Sequence, residues 1–329
     1  MSMLVAAPVA ALGQDDDIGA IARDGYVYGY PLVLMELTRE ISTAATGTGR
    51  FVHMLSGPTP PFRIVVAPNG DTRYSSAWVD LSAEPQILHV PASGGRYFVA
   101  QVLDAWTDVI ADPTPRIPNS APADYALVGP SWTAPFPPGV RVVRSSTNDV
   151  WILARTRARP DDAADAITAI QKQYTITPLR RLGDASYRPP TAVLRDPNVP
   201  TGPTPPSLVA AMSAATFFGR LADALGKNPP RSIDRPIVER LARIGVVPGK
   251  PFDSSAVDAG RRDARRRAPR GACGARPLRS AVRTARQRMA VDEEHGALRA
   301  GLPVPRVHRA DAARREPARG RRLSGDERR

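Results

Sequence analysis

The first 260 residues contain no cysteine, and the single cysteine of the chain is Cys273. Internal disulfides and thiolate metal clusters are therefore excluded from that part. No apolar run approaches the ~20 residues that cross a bilayer as a helix, so no transmembrane span is expected. Nucleotide and nucleophile signatures are absent as well: there is no GxSxG, Walker A loop, HExxH, CxxC or GxGxxG, and no cofactor is expected. Of four histidines only His53 and His89 precede residue 261. They stand far apart without acidic residues at ligand spacing, read as structural or surface histidines, and predict no metal site. The last 69 residues lack lysine and aromatics altogether.

Those last residues, 261–329, hold 21 Arg against 8 acidic residues and carry the whole net charge of +13. The preceding 260 balance, with 24 basic and 24 acidic residues. A run of Arg, Ala, Pro and Gly without large apolar side chains cannot bury enough surface to offset its ordering entropy, so disorder is expected. Such an arm can neutralise phosphates. Single-strand binders, however, interleave aromatics for stacking, and none are here, so no specific nucleic-acid partner is expected. An out-of-frame reading of a GC-rich gene accounts for the composition. Back-translated with permitted synonyms and read one nucleotide later, residues 287–327 yield NGW, GRYG and an ending LGANLPEDAVYP.

The balanced part is long enough for one large or two ordinary domains. Residues 1–13 are apolar and small, and the first basic residue is Arg23. They read either as the end of a secretory signal without its basic start or as a frayed Ala-rich terminus. The location that follows is secreted or periplasmic, otherwise cytoplasmic. Asp15–Asp17 place favourable charge before a helix over 18–43, in which Gly25 and Gly29 permit close approach and Pro31 predicts a kink. From 62 to 155 the punctuation is that of short strands, expected at 64–67, 74–81, 86–90, 97–103, 125–128, 140–143 and 150–154. Asp161 or Asp162 caps a helix to Tyr174, a proline-dense stretch follows, Ser207 caps a helix to Leu225, and 236–244 forms another.

The fold class expected is mainly β with helical additions. A sandwich- or barrel-like N-terminal domain is followed by an incomplete second β domain and a disordered Arg-rich tail. In residue numbers this is a truncated signal segment at 1–14, a helix plus β-rich domain at 15–177 and a linker at 178–206. The helical start of a second domain is expected at 207–253 and an out-of-frame tail at 254–329. Phe217, Phe218, Leu221 and Leu225 are expected to form a face left uncovered, with poor solubility as the result.

Two groups of residues carry what chemistry there is. Asn69, Asp71, Arg73 and Tyr74 sit where a turn feeds a strand; they either line a cavity mouth or serve the turn. Arg96 precedes a strand that ends in Asp104, Trp106 and Asp108, which share one face of an extended chain. Two carboxylates around an aromatic resemble a carbohydrate-hydrolysing pair. The alternative is that they bond the turn or pair with Arg96 or Arg73. The catalytic candidates are Asp71, Arg96, Asp104 and Asp108; the ligand-binding candidates are Asn69, Arg73, Tyr74 and Trp106. Three functions compete: binding a small or apolar ligand, hydrolysis through Asp104 and Asp108, and nucleic-acid binding through the tail. The oligomeric state is not specified.

The segments DGYVYGYPLV, PNGDTRYSSAWVDLSAEPQILHVP and GRYFVAQVLDAWTDVIA resemble the first half of a bacterial family that pairs domains of unknown function 1254 and 1214. FFGRLADALGKNPP and LARIGVVPGKPFD are similar to its linker between halves. The resemblance implies two β-rich domains with helical additions, often exported, and no settled activity. It also implies a second half with NGW, GRYG and the LGANLPEDAVYP ending, the motifs that appear in the shifted frame.

Overall fold

The computed structural model describes residues 18–59, 69–93, 95–114, 121–159, 161–162, 165–198 and 202–255. The segments read as a signal (1–14), as a strand at 64–67 and as the tail from 256 onward lie outside them.

Helix α1 (Ile18–Thr43) runs uninterrupted through Pro31. Thirteen of its residues are buried, on several sides at once, which marks a helix enclosed by neighbours rather than one lying on a surface. Among the described residues ten strands follow: β1 (Phe51–Met54), β2 (Thr72–Asp80), β3 (Gln86–Val90), β4 (Phe98–Asp104), β5 (Val109–Ala111), β6 (Ala123–Val128), β7 (Arg141–Arg144), β8 (Asp149–Arg157), β9 (Thr175–Pro178) and β10 (Val193–Arg195). Interspersed are α2 (Ala166–Gln171), α3 (Pro205–Ala211), α4 (Ala214–Lys227) and α5 (Arg235–Ala242).

The strands form two mixed sheets, a six-stranded one in the order β10-β1-β2-β8-β4-β5 and a four-stranded one in the order β7-β6-β3-β9. Neither closes into a barrel. Strict alternation on β4 and β8 puts Ala100, Val102, Ile152 and Ala154 on one face. They pack against Leu88, Val90, Leu127 and Ile176 of the second sheet in one continuous core, so the mainly β fold with helical additions is a two-sheet stack. A smaller cluster of Ile87, Ala126 and Val128 lies on the other face of the four-stranded sheet.

Four expectations are corrected. The proline-dense stretch contributes β10, which pairs in parallel with β1, Val52 opposite Val193. Asp162 caps no helix: it binds the Arg96 guanidinium and accepts from the Arg159 N–H, and α2 starts only at Ala166. The helix expected from Ser207 to Leu225 is two, because Met212 is extended and Ser213 caps α4 by accepting from the Thr216 N–H at 3.0 Å.

The fourth correction concerns the supposedly uncovered face. Phe217, Phe218, Leu221 and Leu225 are all at most 1% exposed, because α1, α3, α4 and α5 pack together. Gly25 and Gly29 make this approach close: a Cβ at Gly25 would stand 2.4 Å from Leu241 Cδ2, and one at Gly29 2.5 Å from Leu221 Cδ2.

Candidate functional site

Register creates a cleft on the outer face of the four-stranded sheet. On β3 the residues that alternate away from the main core are Ile87 and His89. The pairing sets His89 opposite Asp124 of β6 on one side and Thr175 of β9 on the other. Directly opposed side chains in an antiparallel pair start about 5 Å apart, and here they meet: His89 Nδ1 lies 2.7 Å from Asp124 Oδ1. Both side chains keep solvent access, 37% and 42% exposed.

The roof comes from the chain after β9. A 3-10 turn at Leu179–Arg181 leads to Gly183, whose φ of 81° is the left-handed conformation glycine adopts without strain. Asp184 then accepts from Arg181 at 3.0 Å and from the Ser186 N–H at 2.9 Å, while Arg181 sits over the Tyr187 ring. Leu182 packs down onto the Ile87 cluster. The cleft is open to solvent, measures about 360 Å³ and is lined by Ile87, His89, Asp124, Thr175, Thr177 and Tyr187 among others. Its volume is within the range of small-molecule sites, and its lining is largely polar, with Ile87, Leu182, Ala185 and Pro189 as the apolar side chains. An Asp on Nδ1 favours the imidazole tautomer that carries its proton there. Sequence spacing hides this pair, because 35 residues separate the partners and only the strand register joins them.

The residues singled out by sequence fall into two groups at opposite ends of the six-stranded sheet. The seven residues of β4 span about 20 Å at ~3.3 Å each. Near its start, the Arg96 guanidinium grips Asp162, and the Asp71 carbonyl accepts from the Ala158 N–H at 2.7 Å. There too the Tyr74 hydroxyl accepts from the Asn69 N–H at 3.0 Å, and Arg73 stands opposite Thr156. At its far end are Asp104, Trp106 and Asp108. Asp71 and Arg96 therefore do not share a site with Asp104 and Asp108.

Asp104 is 1% exposed. One carboxylate oxygen accepts from the N–H groups of Trp106 (2.8 Å) and Asp108 (3.0 Å), the other from the Ser146 hydroxyl (3.1 Å). Burial pushes its pKa up, and these three donors oppose the rise. The turn it organises holds Thr107 at φ 73°, a left-handed conformation that costs a β-branched residue energy. Trp106 packs beside Tyr28 of α1, ring centroids 4.9 Å apart. Burial and the neighbouring Asp234 raise the Tyr28 pKa. Asp108 is exposed and paired with Arg231 at 2.8 Å, an arginine that also reaches Asp234. This end of the sheet thus joins the turn to the helical layer, with the carboxylates of Asp104 and Asp108 engaged and the Trp106 indole and Tyr28 hydroxyl buried without partners among the described residues.

His53 is fully buried beside Phe51, with neither ring nitrogen hydrogen-bonded among the described residues. Burial, and then the charge of Lys172, lower its pKa to about 4. No group of three or more His, Cys, Asp or Glu among the described residues is arranged to hold a metal.

Residues 48–178 match the family described as a protein of unknown function (DUF1254). The matched span holds β1 to β9, hence both sheets except β10, and stops short of α3 to α5. Among solved structures, a crystal structure of a protein from Vibrio parahaemolyticus superposes with a TM-score of 0.59 at 20% identity. The match covers 85% of this chain but only 60% of that one; at this identity the likeness is one of fold. An uncharacterised protein from Burkholderia cenocepacia aligns with a TM-score of 0.28 at 18% identity, over 53% of this chain and 44% of that one, too low to bear on the fold. No curated protein matches the chain.

Proposed function

We propose that this chain binds a small molecule in the cleft over β3, β6 and β9. The observation that carries this reading is the His89–Asp124 pair, half-exposed inside a recess of about 360 Å³ whose other walls include Ile87 and Leu182. A ligand that fits has a hydrogen-bonding group for His89 and a modest apolar body for the walls. A fragment screen read as a rise in melting temperature of the full chain tests it. Fragments of that type should stabilise the protein and lose the effect in both His89→Ala and Leu182→Trp, the second filling the recess. Equal stabilisation of all three proteins would refute it.

A second reading is favoured by the 2.7 Å contact on Nδ1, which suits His89 to act as a general base on water, as in a hydrolase. Hydrolysis through Asp104 and Asp108 instead requires Asp108 to release Arg231. Turnover unchanged in Asp104→Asn and Asp108→Asn would dismiss that version. Export to the periplasm or medium rests on the composition of residues 1–13. No described helix is long and apolar enough to cross a membrane. The out-of-frame origin of 261–329, and with it a lost second domain, rests on composition and is decided by resequencing the gene across codons 254–262.

A further inference from the structure

A second recess lies on the opposite side of the molecule's main core, where the end of α1 meets the outer face of β1 and β2. It encloses about 70 Å³, several times the ~10–15 Å³ that one water requires. Beside the apolar Val52, Met54 and Ala77, its polar lining is all donor: Arg50, Arg195, Ser76 and Trp78, with Thr43 and Thr46 at the helix end. No described lining residue is a carboxylate.

Thr43 and Thr46 already donate to the Arg39 and Ser42 carbonyls, but the deeper donors lack acceptors among the described residues. Arg50 and Arg195 make no ion pair with any described residue, and the Arg50 Nε is buried without a hydrogen bond among them. Trp78 is 3% exposed and its indole Nε1 is likewise buried without an acceptor. Its ring cannot turn freely, because it stacks on Trp151 with an interplanar angle of 2° and centroids 5.3 Å apart. The Ser76 Oγ accepts from the Trp151 indole at 2.8 Å, which leaves its own hydrogen to donate elsewhere. The nearby carboxylates are occupied: Glu40 by Arg220, and Asp196 by Ser56 and the Asn198 N–H. The negative end of the α1 dipole opposes an anion here by at most half a charge. Its last carbonyls are already covered, Glu40 O by the Ala44 N–H and Thr43 O by those of Thr46 and Gly47. Two full positive charges outweigh it. A buried indole donor left without an acceptor is unfavourable, and an oxyanion removes that cost.

The geometry points to an anion-binding site: Arg50, Arg195, Trp78 Nε1 and the Ser76 hydroxyl receive a small oxyanion of phosphate size, either the free ion or the phosphate of a small organic molecule. The arginines bring charge and paired N–H groups suited to phosphate oxygens. The indole and hydroxyl select for an acceptor that reaches the floor.

Isothermal titration calorimetry on the full chain tests this, with inorganic phosphate and with glycerol 3-phosphate at constant ionic strength. The variants are Arg195→Gln, on the half-exposed rim, and Trp78→Phe, which keeps the ring and deletes one donor. One saturable site is expected, weakened about tenfold or more by Arg195→Gln and several-fold by Trp78→Phe. Tighter binding of glycerol 3-phosphate assigns an organic phosphate and tighter binding of phosphate the free ion; both support the site. Absence of saturable binding overturns it. So does binding of equal strength in all three proteins, which would place the anion on the Arg-rich residues 261–329.

Discussion

His53 offers the sharpest test of the packing described above. Its folded pKa is about 4 against an ordinary 6.5, because burial and Lys172 disfavour the charged ring. As pH falls, the unfolded chain takes up the proton first, so the stabilisation is complete above pH 6.5 and is lost on the way to pH 4. A shift of this size is worth roughly 3 kcal/mol at 1.36 kcal/mol per unit, a large part of the 5–15 kcal/mol a domain typically has. His53→Leu, of similar volume, removes the titration. It also removes two nitrogens without protein partners, so its stability at pH 7 should equal or exceed that of wild type by ~1–2 kcal/mol. Urea denaturation at pH 7, 5.5 and 4.5 gives the comparison. The gap in favour of the variant should widen by roughly 2.4 kcal/mol over that range, while other groups titrate alike in both and cancel. Parallel loss in the two proteins would show that His53 is solvated or partnered, and the reasoning would fail.

Three further outcomes are expected. Gly29→Ala should destabilise by ~1–2 kcal/mol in urea despite its better helix propensity, because the new methyl meets three atoms of Leu221. Adding Leu221→Ala should recover part of the loss. Asp104→Ala should cost ~2–4 kcal/mol by stranding two backbone N–H groups and the Ser146 hydroxyl, whereas Asp108→Asn should cost under ~1 kcal/mol, its ion pair being exposed. Glu36 has its pKa held down by Arg39 and Lys227, which outweigh the opposing burial. Glu36→Gln should therefore destabilise at pH 7, measured by melting temperature. The difference should shrink as pH falls through and below the ordinary range of glutamate, where wild type loses the same interaction.

Local pattern was legible and register was not. The α1 bounds, β3 from 86 to 90 and the positions of β2, β4, β6, β7 and β8 follow from periodicity and Asn/Gly/Ser punctuation. The strands β1, β5, β9 and β10 are three or four residues each, too short for alternation to stand out from chance. Their partners define them instead: β10 is a strand because Val52 and its neighbours offer a free edge. The same holds for chemistry. Asp104, Trp106 and Asp108 are visible because they are adjacent in sequence, and the turn they make explains the adjacency. His89 with Asp124, and Arg50 with Arg195, come together only through strand pairing and the bend after α1. Arg231 is invisible for the same reason, since its partner is 123 residues away.

The parallel pairing of β10 with β1, and the burial of α1 under α4 and α5, bear on the order in which the chain can fold as it is made. A nascent chain exposes the apolar sides of α1 from the outset, yet Leu221 and Leu241, which cover Gly29 and Gly25, emerge some 200 residues later. At 5–20 residues per second that is a delay of roughly ten seconds or more. The β sheets can assemble meanwhile, but their β1 edge stays open until residue 195 appears. This molecule must therefore keep its first helix from premature association until residue 241 has been made, which places a risk of aggregation in biosynthesis.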